Sequence, residues 1–248
     1  KLGNVGKTVY YTEPADFQPG QRLASIRELE NDMKSGAVET LLILGGNPVY
    51  GLPVDLDFAA MLPRIKCSVY LGTGLDETAA LCTWHVPQAH YLESWGDAKS
   101  FDGTVSLQQP LIEPLYGGKT AQEILALILQ QPAAGSDYDI VRGHWQAQQQ
   151  WVDFEKNWRR AVHDGFVAGT AAPEKHLSLN GDAITRALGA SQSGATGIEV
   201  TFRPDPSIWD GRFANNGWLQ ECAKPVSKLT WDNEVMVSAR LAERNSLV

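Results

Sequence analysis

Between Gln21 and Gly36 the apolar residues Leu23, Ile26, Leu29 and Met33 recur at spacings of three and four, with polar residues between them. That period predicts an amphipathic helix, and Gly36 is a natural stop. The pattern then tightens into the short apolar run Thr40–Leu44, which predicts a buried strand. It ends abruptly at Gly45-Gly46-Asn47-Pro48, the composition of a tight loop. Leu56–Leu62 predicts a short helix capped by Asp55. Cys67–Leu71 predicts a second strand ending at Gly72-Thr73-Gly74, and Asp76–Thr83 a helix with acid in its first turn. Helix, strand, short helix, strand, helix is the alternation of a parallel sheet covered by helices. The predicted fold class is therefore α/β: three layers, α/β/α, around a mainly parallel sheet.

From Val86 to Pro114 the periodicity is lost. Turn signals at Gly96-Asp97 and Asp102-Gly103 lie between Tyr91-Leu92 and Val105-Ser106-Leu107, and predict irregular structure with a small hairpin. Thr120-Ala121-Gln122-Glu123 reads as a capping box ahead of the apolar run Ile124–Leu129. Tyr138–Gly165 reads as helical, with Val141, Trp145, Val152, Trp158 and Val162 as its apolar side. Gly189–Gly197 is small and polar, a loop. Ile198-Glu199-Val200-Thr201-Phe202 alternates, and predicts a half-buried strand. Asn215–Val248 carries turn residues and a helical tail. The domains predicted are residues 1–190, an α/β domain, and residues 191–248, a closing strand with the start of a further region.

Composition narrows the function classes. With 248 residues, 43% of them hydrophobic, the chain can bury a sizeable core. A formal net charge of −8 argues against nucleic acid as a main partner, because phosphate binding needs clustered Lys and Arg. No run approaches the roughly 20 apolar residues that span a bilayer, and no secretory signal is present. The opening Lys1-Leu2-Gly3 lacks Met, as in a processed chain or a piece of a longer one. Cys67, Cys82 and Cys222 are isolated, with no Cys-x-x-Cys pair to suggest zinc or an iron–sulfur cluster.

Candidate chemistry centres on the strand ends. Glycines after a strand let backbone N–H groups approach a phosphate or a base, and Asn47 offers both a donor and an acceptor. The alternative is a plain strand-ending turn. Gly72-Thr73-Gly74 ends the next strand similarly, and two adjacent Gly-rich ends can wall one crevice. His85, His90 and Glu93 are metal-ligand types, but spacings of five and three with Pro87 between them favour loop-fixing hydrogen bonds. Ser94 and Ser191 lack a nucleophile elbow. Asp55/Asp57 and Asp76/Glu77 read as acid–base pairs or as caps. Asn215-Asn216-Gly217-Trp218 reads as a ligand-facing loop or a turn, and the eight Trp as core or interface material.

The order of these motifs carries a resemblance. Gly46-Asn47-Pro48, the strand Val69–Leu71, Asp76-Glu77-Thr78-Ala79 and Val86-Pro87 together resemble molybdopterin oxidoreductases of the dimethyl sulfoxide reductase family. More narrowly, several stretches resemble the large iron–sulfur subunit of alternative complex III, a bacterial quinol-oxidising respiratory complex. They include Leu2–Val9, Trp84–Pro87, His90–Glu93, Trp95-Gly96-Asp97, Asp102-Gly103 and Gln109–Ile112. Asp210–Glu221 and Leu229–Asn233 continue the likeness, which covers nearly the whole chain.

The resemblance implies that the Gly-Asn-Pro loop, here Gly45, Gly46, Asn47 and Pro48, holds part of a molybdopterin guanine dinucleotide. Thr73, Gly74 and Asp76 would lie beside the same crevice. It also implies partner subunits of a membrane-associated respiratory complex, a periplasmic location, and iron–sulfur clusters outside this segment. The family's Ala-Asp-x-x-Leu-Pro is replaced here by Cys82-Thr83-Trp84-His85-Val86-Pro87, a departure from the cofactor-holding pattern; the resemblance to the alternative complex III subunit implies a fold kept with molybdenum chemistry lost. Leu229–Val248 resembles the opening of the family's C-terminal barrel. The resulting expectation is an electron-transfer module with no catalytic or metal site of its own. The alternatives are the cofactor-binding part of a working polysulfide- or thiosulfate-reductase-like enzyme, and an interaction module of an envelope assembly.

Overall fold

The computed structural model describes residues 3–16, 22–130, 135–148, 151–190 and 197–247. Two compact units divide the chain, Lys1–Asp182 and Ala183–Val248.

The first unit opens with α1 (Arg22–Ser35), which buries Met33, and β1 (Thr40–Leu44). Both coincide closely with the apolar pattern. The segment after β1 differs from expectation. Asn47 caps a single turn, α2 (Pro48–Gly51), with Pro48 at its first position, where a missing N–H costs nothing. The predicted helix Leu56–Leu62 is broken into a 3-10 turn Val54–Leu56, α3 (Phe58–Met61) and a second 3-10 turn Leu62–Arg64. Asp55 lies inside the first 3-10 turn and caps nothing; Asp57, in the left-handed conformation, starts α3 instead.

β2 (Cys67–Gly72) pairs in parallel with β1, Thr40 opposite Cys67 and Leu44 opposite Leu71. Asp76 caps α4 (Glu77–Leu81), its carboxylate accepting from the Ala79 N–H. The helix stops short of Thr83, because the chain enters β3 (Trp84–Pro87), parallel to β2. This strand has no sequence signature: four residues ending in Pro, with bulky groups at both faces. The α/β class with a parallel sheet is as predicted, in the strand order β1-β2-β3. Met33, Ile43, Phe58, Leu62 and Tyr70 pack its core. A fully buried Leu such as Leu62 contributes about 1.5–3 kcal/mol there.

A smaller antiparallel sheet joins β4 (Gly96–Lys99), β5 (Val105–Gln108) and β6 (Phe166–Val167). The hairpin turns at Asp102-Gly103, whereas Gly96-Asp97 belongs to the strand. α5 (Ala121–Ile128) has the full capping box between Thr120 and Glu123. The single helix predicted over Tyr138–Gly165 is two, α6 (Asp137–Gln148) and α7 (Phe154–Asp164), the second capped by Asp153 and closed by Gly165 at φ 78°. Val141, Trp145 and Trp158 are buried as read, but Val152 falls between the helices and is wholly exposed.

The second unit contains α9 (Gly217–Glu221) and α10 (Ala239–Asn245); α8 (Gly181–Ala190) precedes them, beginning two residues before the division. Of the predicted loop Gly189–Gly197, residues 191–196 (with Ser191) lie outside the described residues. Ile198–Phe202 is not a strand. Its alternating apolar side chains are exposed, since no neighbouring strand among the described residues offers a ladder partner. Leu229–Ser238 likewise forms no strand.

Candidate functional site

Parallel strands deliver their carboxyl ends to one edge, which is where open α/β sheets bind ligands. Here that edge carries Gly45 after β1, Gly72 at the end of β2, and Gln88 just past β3. The Gly45 N–H donates to the Leu71 carbonyl at 2.8 Å, and the Gln88 N–H to the Gly72 carbonyl at 2.9 Å. Gly45 and Gly46 both adopt φ 74°, a left-handed conformation that side chains resist. A Cβ on Gly45 would sit 3.6 Å from the Gln88 carboxamide.

The predicted residues are brought to this edge on two loops. Gly45, Gly46, Asn47 and Pro48 form the first; Thr73, Gly74 and Asp76 form the second. Two sets of hydrogen bonds join them. The Asn47 Oδ1 accepts from the Thr78 hydroxyl at 2.7 Å and from the Tyr50 N–H at 3.3 Å, while its Nδ2 donates to Glu77 Oε2 at 2.6 Å. The Tyr70 hydroxyl lies 2.8 Å from the Gly46 carbonyl and 2.6 Å from Asp76 Oδ2. Asp76 Oδ1 takes the Ala79 N–H at 2.9 Å. The polar atoms of Asn47 and Asp76 are therefore largely committed to the protein itself. Gly46, Thr73 and Gly74 are exposed.

Tyr70, Thr78 and Glu77 are the residues that sequence reasoning left out of the site. Thr78 stood in the Asp-x-Thr-Ala motif without a role, and Glu77 only as half of an acid–base or capping pair. Tyr70 read as one more apolar strand position, although its spacing of two from Gly72 puts both on one face. Burial, and then the hydrogen bond to Asp76, push the Tyr70 phenol well above its ordinary range. Burial also raises the Cys82 thiol, which makes it a poor nucleophile.

The departure at Thr83-Trp84-His85 has a clear geometry. The Thr83 hydroxyl accepts from the Ser68 N–H at 3.1 Å, His85 Nε2 lies 3.1 Å from the Gly72 carbonyl, and Trp84 is exposed. His85, His90 and Glu93 do not converge. Glu93 accepts from the His90 N–H at 3.1 Å, and His90 Nδ1 from the Leu92 N–H at 3.3 Å, so these groups fix the loop. No group of three His, Cys, Asp or Glu among the described residues is arranged to hold a metal ion.

Two recesses are lined mainly by other residues, the first sharing Gln88 with the strand-end edge. A cleft of about 510 Å³ in the first unit runs from Gln88 past Tyr91, Trp95 and Gln108 to His144. Another, about 550 Å³, lies against Arg212, Phe213, Asn215 and Trp218 in the second unit. Within it Asn216 is a helix cap, accepting the Leu219 N–H at 3.1 Å, and Arg212 is held by Asp210.

No protein-family model matches the chain. It is 26% identical over 159 residues to the molybdopterin-binding-like subunit of a menaquinone reductase from Nitratidesulfovibrio vulgaris. The match takes in 62% of this chain and 23% of that one. Among solved structures it is similar to acetylene hydratase from Pelobacter acetylenicus, with a TM-score of 0.46 and 14% identity over 77% of this chain and 28% of that one. The chain thus spans about a quarter of the length of either protein. The sequence likeness to a molybdopterin-binding-like subunit supports the molybdopterin oxidoreductase superfamily, and no narrower placement within it.

Proposed function

We propose that this chain is part of a molybdopterin oxidoreductase-like subunit that serves electron transfer in a quinone-linked respiratory complex, with no catalytic centre in this segment. The observation that carries the reading is the sequence likeness over 159 residues to a protein that is itself one subunit of a menaquinone reductase. Its partners are then the other subunits of a membrane-associated complex such as alternative complex III, and its place the periplasmic side. No helix among the described residues is long and apolar enough to cross a membrane. Iron–sulfur clusters belong to other parts of the full subunit.

The strand-end crevice fits the nucleotide end of a pterin dinucleotide as a main-chain cradle. Gly45 and Gly46 hold a backbone conformation open to close approach, and Gly46, Thr73 and Gly74 face outward. When bound, such a group supplies a molybdenum centre for two-electron chemistry. In this chain Gly45–Pro48 and Thr73–Asp76 would only hold and orient its nucleotide half. Thr83, Trp84 and His85 supply no carboxylate where the family has one, which supports loss of the cofactor. The preserved Gly-Asn-Pro loop favours the second reading, the nucleotide-binding part of a working molybdenum enzyme.

Metal and pterin analysis of the purified full-length subunit separates the two. Iron without stoichiometric molybdenum is the expected result. Stoichiometric molybdenum with pterin overturns the first reading in favour of the second.

A further inference from the structure

Tyr70 lies two residues before Gly72 on β2, and its ring folds over that glycine. A Cβ on Gly72 would come within 2.4 Å of the ring. The ring also stacks on His85, its register partner on β3, at 5.6 Å and 27°. Only 3% of the residue is exposed. So held, its hydroxyl reaches past the strand ends and shares its one proton between the Gly46 carbonyl and the Asp76 carboxylate, one on each loop.

This has two consequences. In a trans peptide the C=O and N–H point opposite ways. With the Gly46 carbonyl anchored on Tyr70, the Asn47 N–H is turned away from it. Meanwhile the side chains that a sequence assigns to a ligand, Asn47 and Asp76, are used to brace the loops on Thr78, Glu77, Tyr70 and the Ala79 N–H. Gly46, Thr73 and Gly74 are exposed residues of the two loops.

We propose that Tyr70 is the positioning residue of this crevice: its hydroxyl fixes the spacing of the two loops and the orientation of the Gly46–Asn47 peptide. A nucleotide then meets main-chain groups, with Asn47 and Asp76 acting as braces. The inference rests on the reading of the crevice as a nucleotide site, but the fixing of the loops is measurable without any nucleotide.

The test is Tyr70→Phe in the full chain, which keeps the ring and removes the hydroxyl. Hydrogen exchange should accelerate about tenfold in Gly46–Asn47 and Thr73–Asp76 while Ile43 and Leu71 keep their protection. GDP, used as the probe, should bind about tenfold more weakly. Unchanged loop exchange, or equal acceleration throughout the sheet, overturns the proposal, as does unchanged GDP affinity. If the wild type binds no GDP while Tyr70→Phe still loosens both loops, the nucleotide reading falls and the positioning role stands. Should Tyr70→Phe fail to fold, Asp76→Ser keeps a hydroxyl to cap α4 but withdraws the acceptor from Tyr70, and should loosen Thr73-Gly74 while Ala79–Leu81 keep their protection. Unchanged exchange at Thr73-Gly74 in that variant overturns the proposal.

Discussion

The Thr78 hydroxyl donates to the Asn47 Oδ1 at 2.7 Å, although the residues lie 31 positions apart. Thr78 is fully buried, and the same oxygen accepts the Val49 N–H at 3.1 Å. One hydroxyl therefore satisfies a donor and an acceptor of the loop after β1. Thr78→Val keeps the shape but strands the Val49 N–H and leaves the Asn47 Oδ1 only the longer bond from the Tyr50 N–H, and should cost about 1–3 kcal/mol in chemical denaturation. Thr78→Ser keeps the hydroxyl and should lose only a methyl group's burial, about 1 kcal/mol. Equal losses in the two variants would show that packing alone matters there.

Gly72 and Gly74 look alike in the sequence but differ in space. Neither has a positive φ, so conformation does not separate them. A Cβ on Gly72 would strike the Tyr70 ring at 2.4 Å, and that ring is pinned by His85 and by its own hydrogen bonds. Gly74 has nothing within 4 Å. Gly72→Ala should cost about 1–3 kcal/mol through overpacking. Gly74→Ala should be neutral, or stabilise by up to about 1 kcal/mol by restricting the unfolded chain. Paired thermal melts measure the difference, and similar shifts would refute the close packing at Gly72.

What the sequence revealed and what it hid follow from the range of the forces involved. β1, β2 and the cap at Thr120 are local patterns, set by periodicity and by side chains within a turn, and they were legible. Short β3 was not, because Trp84–Pro87 becomes a strand only by pairing with β2. Ile198–Phe202 shows the reverse: alternation is a sound strand pattern but makes no strand without a neighbour. At the crevice, the Gly-Asn-Pro loop announced itself through its composition. Its braces did not, since Tyr70 and Thr78 reach it across 24 and 31 positions through contacts that only the folded sheet creates.

Alkaline titration should register the buried Tyr70 phenol. Burial first, and then Asp76, raise its folded pKa above the unfolded value of about 10. Above about pH 10 the unfolded chain releases this proton while the folded chain retains it. The unfolded state then binds fewer protons, so stability falls as pH rises. The contribution is fully present below about pH 10 and is lost as pH climbs toward the folded pKa. Tyr70→Phe should flatten this part of the profile in denaturation measured from about pH 9 to 11. A slope identical to the wild type would place the alkaline loss elsewhere.

In the second unit, a charge cluster stands where a larger hydrophobic core would otherwise be expected. Lys224, only 5% exposed, donates to Asp205 at 2.8 Å, to Glu234 at 2.7 Å and to the Asp232 carbonyl. Its hydrogen bonds hold both carboxyls below their ordinary range, and the Ser227 hydroxyl helps at Glu234. Asp205, and then Glu234, raise Lys224 in turn. With depressed carboxyl pKa values, the folded state binds fewer protons than the unfolded state in mild acid. The stabilisation is thus present above about pH 4.5 and is lost as pH falls through the folded values. Hydrogen-exchange protection of the Asp205–Trp209 turn should decline over that acid range. Lys224→Met removes the largest cause of both depressed carboxyls, while Asp205 keeps the Ser207 and Ile208 N–H groups and Glu234 keeps the Ser227 hydroxyl. Its acid decline should therefore be shallower than that of the wild type. A variant that kept the wild-type acid decline would show that this cluster does not govern the unit's stability.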